Sequence, residues 1–146
     1  MTGVLVLLVA VVATALVVLL LRRTNGRFRT AAPTVDEEAS MPDERKRLAA
    51  ADIGAPLGER LTLVQFSSAF CSPCRATRTL LADVVSGRPD VEHVEVDAES
   101  HLDLVRRLDV RRTPTVVVLD AEGVVVGRAS GLPTREQVEG ALAAVR

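Results

Sequence analysis

Hydrophobic positions fall into two regimes along this chain. Gly3 to Leu21 is an unbroken run of 19 uncharged residues, rich in Val and Leu. At 1.5 Å per residue it covers most of a ~30 Å hydrocarbon core, which predicts a single transmembrane helix over 3–21. A cleaved signal peptide would place a positive charge before a shorter apolar stretch and a small-residue cleavage site after it. Here only Met1 and Thr2 precede the run and Arg22-Arg23 follow it. No cysteine follows closely enough to suggest a lipoprotein.

From residue 48 onward the apolar positions shorten into strand and helix periods. Leu61 to Phe66 is a near-continuous apolar run, the mark of a buried strand, with Ser67-Ser68-Ala69 as the loop after it. Arg75 to Ser86 repeats Ala76, Leu80, Leu81, Val84 and Val85 at helical spacing and stops at Gly87, a left-handed cap position, before Pro89. Val91, Val94 and Val96 make a short strand ending at Asp97, and Ser100 with Asp103 resembles a capping box opening a helix through Leu108. Thr115 to Leu119 turns at Asp120–Gly123 into Val124–Gly127, a hairpin, and Thr134 with Gln137 caps a last helix carrying Val138, Ala141, Leu142 and Val145 on one face. The order strand, helix, strand, helix, strand, strand, helix predicts an α/β fold, a mixed sheet with helices on both faces.

Between the two regimes, residues 22–47 hold a basic juxtamembrane segment and a linker. Periodicity is lost, Pro33, Pro42 and Gly26 interrupt, and Asp36-Glu37-Glu38 opposes Arg45-Lys46-Arg47. Such a stretch buries too little apolar surface to offset the entropy of ordering it, so it reads as a flexible tether, with Arg45 to Ala51 as a short helical lead-in.

Composition narrows the function. Residues 48–146 suffice for one domain and one core, built from Val, Leu and Ala because the chain has three Phe, no Tyr and no Trp. That domain carries 11 basic and 14 acidic side chains, so it lacks the basic face that nucleic-acid binding needs. Two cysteines in the whole chain cannot form the disulfide framework of a small secreted scaffold; so close together, they point to redox or metal chemistry.

Those cysteines, Cys71 and Cys74, sit in Phe70-Cys71-Ser72-Pro73-Cys74-Arg75 at a strand-to-helix junction. Unpaired amides of the first helical turn and the positive end of the helix dipole favour an anion there. Cys71, preceding the helix, is the candidate nucleophile for thiol–disulfide exchange, and Cys74, one turn in and facing inward, the candidate resolving thiol. Pro73 suits a first turn, which has no use for its missing amide hydrogen. The rivals are inert buried thiols, a static disulfide or a zinc site. Zinc would need four ligands, and His93 and His101, with seven residues between them, do not match the usual H-x3-5-H spacing. Neither a metal nor any other cofactor is expected.

The strand, loop, aromatic-Cys-x-Pro-Cys-basic corner and helix, with Arg112-Thr113-Pro114-Thr115 opening a run of valines some forty residues later, resemble thioredoxin. The resemblance spans residues 48–146 and is closest to the small membrane-anchored thioredoxin-like proteins of actinobacteria. It implies a thioredoxin-like fold and a reductant of partner protein disulfides, supplied by an electron donor that the sequence does not identify. It also implies a cis Thr113–Pro114 bond facing the cysteines, with Phe70, Thr113 and Pro114 touching substrate. Ser72, Pro73 and Arg75 would be supporting residues; Ser72-Pro73 adds no cation, which favours a reductant over an oxidant. A dedicated donor to one cytochrome-maturation or sulfur-metabolism partner is the second enzyme reading, and a thioredoxin-fold binding or metal-holding module without turnover the non-enzyme one.

Three positions depart from the family. Phe70 replaces the usual Trp. Gln65 stands where thioredoxins bury an Asp that takes the proton of the second cysteine, and Gln cannot act as that base. Thr79 stands where the helix often carries a kinking Pro. The first strand usual in thioredoxins is not evident unless Ala49 to Ile53 supplies a stub. For membrane orientation, four arginines within eight positions after the apolar run place the domain on the cytoplasmic face by charge bias, whereas family analogy favours the other face.

Overall fold

In a computed structural model, described for residues 2–24, 28–30 and 47–145, the elements run α1 (Thr2–Thr24), β1 (Arg29–Thr30), α2 (Ala50–Ile53), β2 (Leu61–Ser67), α3 (Ser72–Val85), β3 (Val91–Asp97), α4 (Leu102–Arg107), β4 (Thr115–Asp120), β5 (Val125–Ser130) and α5 (Arg135–Ala144). The sheet order is β1-β5-β4-β2-β3. β2 pairs in parallel with β3 and antiparallel with β4, and β4 and β5 form the expected antiparallel hairpin. From β2 onward this is the alternation that the apolar pattern predicts.

β2 is buried at every position because the sheet is covered on both faces. Its side chains alternate between two cores, as the period of a strand requires. Leu61 and Leu63 join Val91, Val116 and Val118 beneath α3 and α5, through Leu81, Val84, Val138 and Leu142. Val64 and Phe66 face the other way, against Val94, Val96, Leu104, Leu108 and Leu48. Each large aliphatic chain fully buried in such a core contributes about 1.5–3 kcal/mol, so a chain with few aromatics still closes a core by covering both sheet faces. The β4–β5 turn is tied by the Asp120 carboxylate, which accepts from the Glu122 and Val124 amides at 3.1 and 2.8 Å. Gly123, at φ +79, packs where an added Cβ would collide with the Leu48 carbonyl, whose own amide donates to the Gly123 carbonyl at 2.8 Å.

Several local expectations are corrected. α3 starts at Ser72 with Cys71 as its N-cap, and it ends on right-handed Ser86, so Gly87 is not a left-handed cap. Ser100 does not cap α4; its hydroxyl turns back to the Asp97 carboxylate, and His101 is the cap residue. The Thr134–Gln137 capping box does form. Ala50–Ile53 is a four-residue helix rather than a strand stub, because Asp52 reaches back to the Ala49 amide at 2.7 Å and Gly54 ends the turn at φ 70.

Part of the segment read as a tether belongs to the sheet. Arg29–Thr30 adds β1 to the outer edge of β5, and Phe28 packs against the core beneath α5. Positions 25–27 and 31–46 lie outside the described residues; of the lead-in expected over Arg45 to Ala51, the described part is corrected, for Arg47 bridges Val124 and the helix begins only at Ala50. α1 is a 23-residue helix with Leu5 to Leu20 exposed. Among the described residues no helix is long and apolar enough to cross a membrane.

Candidate active site

The site forms where β2 ends, α3 begins and β4 starts alongside. Cys71 and Cys74 are joined by a disulfide. Cys71 is half-buried and Cys74 is 2% exposed, so the sulfur at the N-cap meets the surface and the one a turn further in meets the interior. The Cys71 Sγ occupies the N-cap acceptor position of α3, taking the Cys74 amide N–H at 3.1 Å. On reduction, the same donor and the helix dipole would stabilise a thiolate on Cys71. Ser72, Pro73 and Arg75 are exposed around it, and Phe70 is 101% exposed, standing free beside the sulfur rather than lying over it as a lid.

In the loop that leads into β4, the Thr113–Pro114 bond is cis, with Pro114 buried and Thr113 half-buried. The Thr113 and Ser68 hydroxyls lie 3.0 Å apart, which ties the loop before the cysteines to the proline loop. Arg112 donates to the Ser130 carbonyl at 2.9 Å and Arg111 pairs with Asp109 at 3.0 Å, so both loop cations are partnered.

Gln65 lies on the β2 face beneath α3, fully buried. Its Nε2 donates to the Cys74 carbonyl at 2.9 Å and to the Ser67 hydroxyl at 2.8 Å. A carbonyl only accepts, so the amide orientation is fixed and Oε1 faces His93, whose Nε2 lies 3.2 Å away. His93 Nε2 must then carry the hydrogen, leaving Nδ1 as the free acceptor. The buried carboxyl of the family is thus replaced by a neutral amide–imidazole pair. Burial, with Arg78 nearby and Glu95 opposing, holds the His93 ring below its usual value.

Arg78 and Asp97, which the sequence reading missed, complete one flank beside Glu95. A cavity of about 440 Å³ runs from Cys71 and Cys74 past Ser67 to Glu95, Asp97 and Arg78. Glu95 pairs with Arg78 at 2.6 Å; burial raises its carboxyl, but the Arg78 and Ser67 hydrogen bonds and the neighbouring cations bring it below the usual carboxylate value. The available signal was period 2 on β3: His93 and Glu95 lie on the α3 side, opposite Leu63 and Gln65. Among the described residues no group of three or more His, Cys, Asp or Glu could hold a metal ion.

The thioredoxin family model matches residues 51–144. The chain belongs to the thioredoxin family. It is 35% identical over 60 residues to thioredoxin H5 of Oryza sativa, covering 41% of this chain and 44% of that one. To thioredoxin of Ophiophagus hannah it is 33% identical over 58 residues, covering 40% of this chain and 55% of the other. The chain therefore spans about half the length of these curated relatives. Among solved structures, oxidised mitochondrial thioredoxin 3 of Saccharomyces cerevisiae superposes with a TM-score of 0.53 at 22% identity, covering 60% of this chain and 80% of that one. Fasciola hepatica thioredoxin gives 0.54 at 25% identity, covering 61% and 84%.

The His93 environment carries a pH dependence. A histidine whose folded value is depressed contributes stability that is complete above its unfolded value, ~6.5, and is lost as pH falls through the lower folded value. Denaturant unfolding between pH 7.5 and 5 is expected to show a loss of stability that His93→Gln removes, with the His93 ring titrating by NMR below the ordinary histidine value of ~6.5. An unchanged pH slope in the variant would mean that the ring is not held neutral by its burial.

Proposed function

We propose that this protein is a membrane-tethered thiol–disulfide oxidoreductase that reduces disulfides of partner proteins. The observation that carries the reading is the Cys71 sulfur at the N-cap of α3, on a corner that Ser68 ties to Thr113 of the cis Thr113–Pro114 bond. In the reduced chain the Cys71 thiolate attacks one sulfur of the partner's disulfide, forming a mixed disulfide and releasing the partner's other sulfur as a thiolate. Cys74 then loses its proton and attacks the Cys71 sulfur, the second partner thiolate leaves, and the Cys71–Cys74 disulfide forms. Two electrons pass to the partner, and a dithiol donor restores the chain. Phe70 and the Thr113–Pro114 loop flank the approach, where an extended partner segment would lie.

Tethering is supported by the 23-residue α1, about 34 Å long at 1.5 Å per residue, and by its exposed Val and Leu surface. The arginines after the apolar run support a cytoplasmic domain.

Cys74→Ser is expected to accumulate stable mixed disulfides with partners, visible as reductant-sensitive adducts, whereas Cys71→Ser traps none. Full insulin-disulfide reduction by both variants would refute the exchange mechanism. Metal analysis with free-thiol titration separates turnover from a metal-holding or locked module.

For orientation, a C-terminal β-galactosidase fusion should be active and an alkaline phosphatase fusion silent. The reverse pattern would place the domain outside the cytoplasm and move its partners there.

A further inference from the structure

The attachment of the domain to α1 is short and enters the fold at a particular end. β1 runs antiparallel to β5 with Arg29 opposite Arg128 and Thr30 opposite Gly127. Going back along β1 therefore moves toward Ala129, Ser130 and Gly131. That is the active-site end of the sheet: Ser130 pairs with Thr115, and the Gly131 amide donates to the Pro114 carbonyl at 2.8 Å. Phe28 seats the segment in a crevice with Val126, Ala141 and Val145. Between Thr24, the last residue of α1, and Phe28 lie three residues, so the two Cα atoms are at most ~14 Å apart. A free 22–47 linker would instead average roughly 30 Å and reach about 90 Å when extended.

The exposed apolar side chains of the domain gather at that end. Among the described residues outside α1, the exposed large apolar side chains are Phe70 at 101%, Leu102 at 50% and Leu132 at 44%. Phe70 follows β2, Leu102 opens α4 after β3, and Leu132 follows β5, so all three project from the end that carries the cysteines. Arg75 and Arg112 are exposed at that end together with Asp97, Glu99 and Asp103, so its charge is mixed, while the opposite end presents the Asp120–Glu122 turn. Apolar tips at the end where the attachment enters suit a bilayer surface, into which they can insert while the charged side chains around them stay in water.

We propose that docking of Phe28–Thr30 on β5 holds the cysteine end of the domain at the bilayer surface, so that its substrate is a disulfide of a membrane-embedded protein close to that surface. The inference rests on α1 being a membrane anchor. Soluble proteins and disulfides on long stalks are then poor substrates, because the sulfur of Cys71 faces lipid headgroups rather than bulk water.

The test uses the full chain in anionic vesicles. In a Cys71→Ser, Cys74→Ser background, a spin label is placed by Leu132→Cys or by Glu122→Cys, and relaxation by nickel-chelating headgroups is read. Enhancement should be several-fold greater at 132 than at 122, and Phe28→Asp with Thr30→Pro should equalise the two while leaving the thermal melt of the domain cooperative. Equal enhancement in the docked chain, or a difference that survives undocking, overturns the inference while leaving the anchor intact. A chain that fails to float with the vesicles overturns the anchor reading and this inference together. With active protein, a membrane-anchored peptide whose disulfide lies about 5 residues from its own span should be reduced several-fold faster than one about 25 residues away, a preference that undocking abolishes. Equal rates for both peptides would contradict the proposed substrate class.

Discussion

Everything at this site depends on one contact, the Cys74 amide N–H donating to the Cys71 sulfur across the first turn of α3. Because Cys71 is the N-cap, its sulfur sits where the helix has unsatisfied donors and a positive dipole end, while the residue one turn in points to the core. The asymmetry between an attacking and a resolving sulfur is therefore a property of the helix start. β2 sets where that start lies: seven buried residues fixed by ladders on both sides leave no freedom for the corner that follows.

The inner half of the site rests on a buried amide. A buried carboxyl under the second cysteine would cost desolvation and titrate at a raised value. Gln65 avoids that cost and still ties the Cys74 carbonyl, the Ser67 hydroxyl and His93 into one network. The proton released by Cys74 then has no buried carboxylate acceptor among these contacts. The cavity lined by Ser67, Glu95 and Arg78 gives it a polar route outward.

Much of this was legible in the chain because strong local signals agree. The apolar run of β2, the helical spacing to Val84 and the CxxC between them fix the corner from residue identities alone, and Thr113-Pro114 before a valine run marks the facing loop. Signals that depend on competition between partners were not legible. Ser100 has two acceptable acceptors and takes the Asp97 carboxylate instead of a helix amide. Gly87 can adopt a left-handed turn without needing to. Arg29–Thr30 has no strand pattern of its own; it becomes a strand only because the edge of β5 offers unpaired groups and Phe28 finds a crevice beneath α5. The Glu95–Arg78 pair joins residues 17 apart on different elements, which no local pattern reveals.

The most direct measurement of the central claim is the order in which the two thiols react. The freshly reduced chain, given a limiting amount of iodoacetamide at neutral pH, is sequenced by fragmentation mass spectrometry to locate the first alkylated cysteine. The account predicts label on Cys71 in large excess over Cys74, and loss of this selectivity once the chain is unfolded. Equal labelling in the folded chain, or preference for Cys74, would contradict the assignment of nucleophile and resolving thiol on which the proposed mechanism stands.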